Sequence, residues 1–265
     1  MSSRRQSAVP VAHGIVLKKK YGQHFLRDQS VVDCMLSHVD LSGASVLEIG
    51  PGDGFLTRSI LAQVIRRLWC FEIDHEWVNY LQRTLKDERL SIIEKNFLDI
   101  DFALFHEYAP WTVLSNLPYQ VTFPILNILQ KNRHLFKEGV VMVQEEVAQK
   151  ITKTSGRGYG YISLFFQYYF DWKLLDKVPP HSFEPPPKVF SRLLYFKPKK
   201  LSVAIPDEDK FWKFIKLCFH SPRRTLKNNL NSTHIDLSLI TDNVLTLRAQ
   251  QIDMDGFLRI WDLVR

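Results

Sequence analysis

Ser115-Asn116-Leu117-Pro118-Tyr119 is the stretch of this chain whose residue types carry the most chemistry. An exocyclic amine on a nucleobase is a poor nucleophile, because its lone pair is delocalised into the ring. A catalyst must therefore hold its hydrogens with acceptors. The side-chain oxygen of Asn116 and the carbonyl of Leu117 can do this, Pro118 fixes the backbone, and Tyr119 offers a ring on which an extruded base can stack. The same residues also suit a plain Asn-x-Pro turn with a packed tyrosine. What lies upstream decides between the two.

Upstream, Glu48-Ile49-Gly50-Pro51-Gly52-Asp53-Gly54 follows an apolar run and opens a helical pattern. Its glycines permit a tight turn and the close approach of a nucleotide-like ligand to the backbone. A dinucleotide fingerprint does not fit, since it needs a third glycine where this chain has Phe55. The next apolar run ends at Glu72, twenty-two residues after Gly50, where a carboxylate can accept both hydroxyls of a ribose. A glycine turn followed one strand later by an acid is a nucleoside site, and it gives the Asn116 stretch a reaction partner.

These residues need a scaffold that brings strand ends together. Short apolar runs at 45–49, 68–72, 90–93, 112–115 and 140–143 read as strands, and 55–65, 75–85 and 123–129 carry helical spacing between them. Such alternation implies parallel pairing through right-handed crossovers, hence a doubly wound α/β sheet with ligands at the carboxyl ends of its strands. Two proline clusters then punctuate strands at 172–178 and 190–196, and Lys197 to Pro206 reads as a linker. Beyond it Phe211, Phe214, Ile215, Cys218 and Phe219 share one helical face, so a small all-helical domain follows. The 265 residues, 45% of them hydrophobic, suffice for one large domain with this appendix.

Composition excludes several classes. Cys34, Cys70 and Cys218 lie far apart with no ligand spacing, so neither a metal nor a disulfide framework is expected, and a reducing compartment is the plain reading. No apolar run approaches a membrane span and the first residues lack a secretory signal, so the expected setting is soluble and cytoplasmic. Residues 1–18 read as a flexible basic arm, ahead of an organellar transit peptide. The net charge of +7 is concentrated: residues 1–20 and 210–235 hold five and six Lys or Arg respectively and no acid. Two basic clusters suit a polyanion partner, since each neutralised phosphate releases counterions; solvated lysine-rich surfaces have the same composition. If Pro222 opens a helix, Arg223 and Lys227 share a face with Arg224 beside them, a track for phosphates.

Taken together, these residues resemble the KsgA family of small-subunit ribosomal RNA adenine dimethyltransferases. The resemblance runs from Lys19 to about Leu230. It rests on Gly22-Gln23-His24-Phe25-Leu26, Glu48 to Thr57, Glu72-Ile73-Asp74, Asn116 to Tyr119, Gln144-Glu145-Glu146-Val147, Phe183 with Pro185-Pro186-Pro187-Lys188-Val189, and Arg223-Arg224-Thr225. It implies a Rossmann-like methyltransferase domain over 19–200 and a small helical RNA-binding domain over 201–265. The implied reaction is S-adenosylmethionine-dependent dimethylation of N6 on two adjacent adenosines, linked to ribosome biogenesis. The implied partners are small-subunit rRNA and the immature small ribosomal subunit, and the implied state is a monomer.

At matching positions the resemblance assigns His24 and Leu26 to the methionine side of the cofactor and Gly50 with Gly52 to its amino acid portion. Glu72 falls to the ribose, Asn96 to the adenine and Asn116 to the reacting centre. Phe183 becomes a second aromatic wall opposite Tyr119, and Arg223, Arg224 and Lys227 meet rRNA. Two positions depart from the family pattern, in which Asn usually stands at 24 and Asp at 96. Histidine can replace the amide contact, while Asn96 keeps an acceptor and loses the charge. Related enzymes acting on large-subunit rRNA usually carry Asn-Ile-Pro-Tyr, against which Leu117 argues. A non-enzymatic descendant of the fold is the second class, disfavoured by the intact Asn116, Tyr119 and Phe183.

Overall fold

The computed structural model describes residues 11–18, 21–201 and 205–265. Strands β1 (Val11–Ala12) and β2 (Ile15–Val16) pair antiparallel about His13 and Gly14. Both turn residues have positive φ, 51° and 79°, the geometry of a two-residue hairpin whose twist matches its strands. The expected arm is thus structured over its last eight residues. The reason is packing: Ala12 and Leu17 are buried in one cluster with Phe25 and Trp77, and Lys18 ion-pairs with Asp74 at 2.5 Å and Glu76 at 2.6 Å. The remainder of that arm, 1–10, and the basic residues Lys19 and Lys20 lie outside the described residues.

After β3 (Phe25–Leu26) and α1 (Gln29–Ser37), which Asp28 caps by accepting from Ser30 N–H, the alternation begins. It runs β4 (Ser45–Ile49), α2 (Phe55–Leu61), β5 (Arg67–Glu72), α3 (His75–Thr84), β6 (Leu90–Glu94), β7 (Trp111–Asn116), α4 (Thr122–Lys131) and β8 (Phe136–Gln144). Next come α5 (Glu145–Thr152), α6 (Tyr161–Tyr169), β9 (Phe170–Val178), β10 (Phe183–Glu184) and β11 (Ser191–Pro198). The last helices are α7 (Glu208–Cys218), α8 (Leu226–Leu230), α9 (Asp242–Leu245) and α10 (Met254–Val264).

Seven strands form the central sheet in the order β6-β5-β4-β7-β8-β11-β9. The first five are parallel and β11 runs antiparallel to β8. Every residue of β4 is buried, as expected of a strand covered on both faces, and its mostly apolar sequence carries Ser45 and Glu48 inside with it. From β4 the chain builds outward through β5 to β6, then returns to the other side of β4 with β7. The strand order therefore reverses between β4 and β7, and a crevice opens at their carboxyl ends. Gly50 follows one of these strands and Asn116 ends the other, so topology alone brings the two sequence motifs together.

The chain divides into two compact units, Met1–Glu145 with Lys173–Lys197, and Glu146–Trp172 with Pro198–Arg265. This division differs from the expected boundary at 200, because α6 and most of α5 fall in the second unit. There the aromatic residues of α6 and α7 pack together: the Trp212 ring lies 4.9 Å from that of Phe165, and Trp212 Nε1 donates to the hydroxyl of Tyr169 at 2.6 Å. The apolar face expected from Phe211, Phe214, Ile215, Cys218 and Phe219 is buried in full. Among the described residues no helix is long and apolar enough to cross a membrane.

Candidate active site

Gly50, Gly52 and Gly54 all have positive φ (70°, 57° and 82°), a conformation that side chains other than glycine's resist. Space is restricted as well: a Cβ on Gly52 would stand 2.6 Å from the Phe25 ring. Glu72 ends β5 beside this turn, only 7% exposed. One of its oxygens accepts from Gly52 N–H at 3.2 Å, and the other accepts from Ile73 and Asp74 N–H, both at 2.9 Å. Burial raises its pKa above the ordinary value against the pull of those donors. Asp53, also buried, is held by Arg27 at 2.7 Å and by His13 of the hairpin at 3.4 Å.

Glu48, at the end of the same strand as the glycine turn, is 2% exposed and accepts from Thr57 Oγ1 at 2.7 Å and from Cys70 Sγ at 3.4 Å. Burial pushes its carboxyl up to about 7. A carboxyl whose pKa is higher folded than unfolded stabilises the fold below the unfolded value, and that contribution is lost as pH rises through the folded one. Wild-type stability should therefore fall between about pH 5 and pH 8. In Glu48→Gln this part of the decline, on the order of 3 kcal/mol at most, should disappear. Urea unfolding of both proteins at several pH values checks it, and parallel pH profiles would show that Glu48 titrates normally.

On the neighbouring strand, Ser115 Oγ donates to the carbonyl of Ile49 at 2.5 Å and ties β7 to β4. Asn116 Nδ2 donates to the carbonyl of His24 at 3.1 Å. Only the amide nitrogen can make that bond, so the side chain is oriented with Oδ1 left as the acceptor. Leu117 N–H donates to Met142 O at 3.1 Å. The Pro118 carbonyl accepts from Val121 N–H and Thr122 Oγ1 as the chain winds into α4. The hydroxyl of Tyr119 is anchored to Ser191 Oγ at 2.5 Å, and burial raises its pKa. His24 Nδ1 donates to the carbonyl of Pro185 at 2.7 Å, since a carbonyl can only accept.

A cavity of about 230 Å³ connects these groups. His24, Leu26, Gly50, Gly52, Glu72, Asn96 and Asn116 all line it, as do Leu117, Pro118 and Tyr119. Asn96 Oδ1 accepts from Leu98 N–H at 3.1 Å and its Nδ2 donates to Asp99 at 2.9 Å, so the oxygen retains one lone pair for a ligand amine.

At two expected positions the structure shows a different arrangement. Phe183 does not line the cavity: it is 4% exposed and belongs to the buried cluster that includes Leu26, Met35 and Val178. Its backbone pairs with Leu26 in a two-stranded ribbon, so it holds the segment bearing His24. The ring stacked on Tyr119 is that of His24, with centroids 5.9 Å apart and planes at 27°. Arg223 and Arg224 do not lie on a helix with Lys227. The helix starts at Leu226, capped by Thr225 Oγ1, and the two arginines occupy the turn before it. All three cations are exposed and none forms an ion pair with a described residue. Sequence reasoning missed Ser191, whose partner Tyr119 is 72 positions away, and the cavity residues Phe71 and Phe97, whose apolar character is indistinguishable from core.

The model for the family described as ribosomal RNA adenine dimethylase matches residues 15–254. Ribosomal RNA small subunit methyltransferase A of Chlorobium phaeobacteroides is 34% identical, over 95% of this chain and 92% of its own. The protein of the same description from Streptococcus thermophilus is 34% identical, over 97% and 95%. In fold the chain is similar to a dimethyladenosine transferase from Plasmodium falciparum, with a TM-score of 0.76 at 22% identity over 89% of this chain and 96% of that one. It is also similar to the 23S rRNA methyltransferase ErmE, with 0.67 at 21% over 91% and 99%. A family match over most of the length, with relatives near one-third identity end to end, meets the expectation raised by the glycine turn and the Asn116 stretch: the chain belongs to the ribosomal RNA adenine dimethylase family, in its KsgA branch.

Proposed function

We propose that this protein dimethylates N6 of two adjacent adenosines in small-subunit rRNA, acting in the cytoplasm as a monomer on the immature small subunit. The observation that carries the reading is the orientation of Asn116, whose amide nitrogen is held by the His24 carbonyl so that Oδ1 is left to accept.

The cofactor is S-adenosylmethionine, and the residues present fit it. Two left-handed glycines, Gly50 and Gly52, bare their backbone at the cavity wall, the buried Glu72 carboxylate can accept from a ribose hydroxyl, and Phe71, Ile73 and Phe97 offer apolar surface to an adenine. When bound, it supplies an electrophilic sulfonium methyl. The chain's own residues do the rest. Asn116 Oδ1 and the Leu117 carbonyl accept the two N6 hydrogens, which localises the nitrogen lone pair and stabilises the positive charge that grows on the amine. Tyr119, fixed through Ser191, presents a ring for stacking the base. Catalysis then comes from positioning and electrostatics.

Incubating the purified protein with labelled S-adenosylmethionine and either free rRNA or immature small subunits, then mapping the modified bases, tests the proposal. Label on two adjacent adenosines of the small-subunit RNA is expected. Label confined to other RNA or to other atoms would overturn it.

The exposed turn at Arg223 and Arg224, with Lys227 beyond it, is assigned to rRNA phosphates. Replacing all three with Ala should weaken RNA binding and reduce its salt dependence by about 0.7 to 0.9 for each phosphate no longer neutralised, with cofactor affinity unchanged. Titrations at low and high salt that match wild type would make this segment ordinary surface.

A further inference from the structure

An aromatic residue stands exposed at the edge of the sheet that carries the site. Phe190 is 45% exposed and its neighbour Val189 44%. Single exposed hydrophobics are ordinary, but this pair has company. Lys177 of β9 places Nζ 4.3 Å from the centre of the Phe190 ring, a cation–π contact on a ring that is still nearly half exposed. Lys188, two residues before Phe190, is exposed as well, and neither lysine forms an ion pair with a described residue. The nearby acids are engaged elsewhere. Arg192 holds Glu145 at 2.7 Å, Arg27 holds Glu184 at 3.2 Å, and Asp176 faces Cys34 and Arg192.

Register fixes where this patch lies. Asn116 is level with Met142, and Ser191 is level with Gln144, on the next strand and two residues further toward the carboxyl edge. Phe190 is one residue beyond, its carbonyl accepting from Glu145 N–H at 3.0 Å. Two strand spacings across and three residues along put its Cα about 14 Å from that of Asn116. The next residue, Ser191 at the start of β11, anchors the base-stacking ring by bonding Tyr119.

We propose that Phe190, flanked by Val189, Lys177 and Lys188, is a stacking platform for an unpaired nucleotide of the RNA substrate next to the target adenosine, with the two lysines neutralising its phosphates. A half-exposed aromatic ring in contact with a cation recognises a nucleobase whatever its sequence, and lysines at its margin suit the backbone on either side. This inference rests on the RNA-methylating function proposed above. It adds a second contact point, which orders the strand leaving the site and sets the direction in which the substrate is threaded.

The test uses the full chain and an rRNA fragment containing the mapped target adenosines, in its natural form and with single abasic residues placed at each flanking position. Phe190→Ala should raise the dissociation constant and KM for the natural fragment about 5- to 150-fold, and Phe190→Trp should recover wild-type binding. One abasic position should weaken wild type by a similar factor and leave Phe190→Ala no worse than with natural RNA. Lys177→Ala with Lys188→Ala should lower the salt dependence of binding. If wild type methylates the fragment but Phe190→Ala binds it equally well, or if no abasic position is coupled to residue 190, the platform does not exist and the proposed function stands. If wild type methylates no adenosine in any form of the RNA, the proposed function fails and takes this inference with it.

Discussion

Replacing Asn116 with Ala should lower the rate of methyl transfer about 100- to 1,000-fold, the loss seen when one polar group that stabilises a transition state is removed from a preorganised site. The side chain is small and partly exposed to the cavity, so the fold should persist. The side-chain bond it donates among the described residues, to the His24 carbonyl, is a single neutral hydrogen bond worth about 1 kcal/mol. A charged replacement separates two roles. Asn116→Asp retains acceptors for the N6 hydrogens but has no donor for the His24 carbonyl, so its carboxylate would be repelled from the orientation the amide holds. Both variants should therefore be slow in single-turnover assays at saturating cofactor, with near-normal cofactor affinity by calorimetry. Near-normal turnover in Asn116→Ala would make the residue a structural tie between β7 and the segment bearing His24.

The parts of the fold that are legible in the sequence are those whose pattern has a single physical solution. The run at 45–49 matches β4 residue for residue, and the runs at 68–72 and 112–115 fall inside β5 and β7, because a parallel strand buried on both faces is mostly apolar. The helix expected over 55–65 ends at Leu61, where Ala62 closes it and the chain must already turn toward β5. The 146–172 region is opaque for a complementary reason. Tyr161–Tyr169 is apolar nearly all round, which a buried strand and a buried helix satisfy equally, and its partners in α7 lie some 40 residues away. At 222–227 two helix-start signals compete, Pro222 and Thr225, and the threonine hydroxyl is the actual cap. The surroundings of Phe183 are not legible either, since its burial and its pairing with Leu26 join residues more than 150 positions apart.

Glu72→Ala should raise the dissociation constant for S-adenosylmethionine by about 10- to 150-fold. A ribose hydroxyl donating to the acceptor site that Gly52, Ile73 and Asp74 leave on this charged group contributes about 1.5 to 3 kcal/mol, and the carboxylate has a second task. By accepting from Gly52 N–H it ties the end of β5 to the glycine turn, so its removal also loosens the backbone that must approach the ligand. Glu72→Gln separates the two tasks. It keeps one oxygen, but its NH2 must face either the Gly52 donor or the Ile73 and Asp74 donors, and a donor cannot satisfy a donor. Its affinity should lie between those of wild type and Glu72→Ala. The pH dependence has a definite sign as well. Burial holds the Glu72 pKa above the ordinary carboxylate value, and a proton on the carboxyl competes with hydroxyl donors for the same lone pairs, so wild-type affinity should weaken as pH falls while that of Glu72→Ala varies less. Calorimetry across pH on the three proteins, with thermal melts to confirm that each is folded, measures all of this. Undiminished binding by a folded Glu72→Ala would remove the ribose from this carboxylate and leave it only the task of holding the turn.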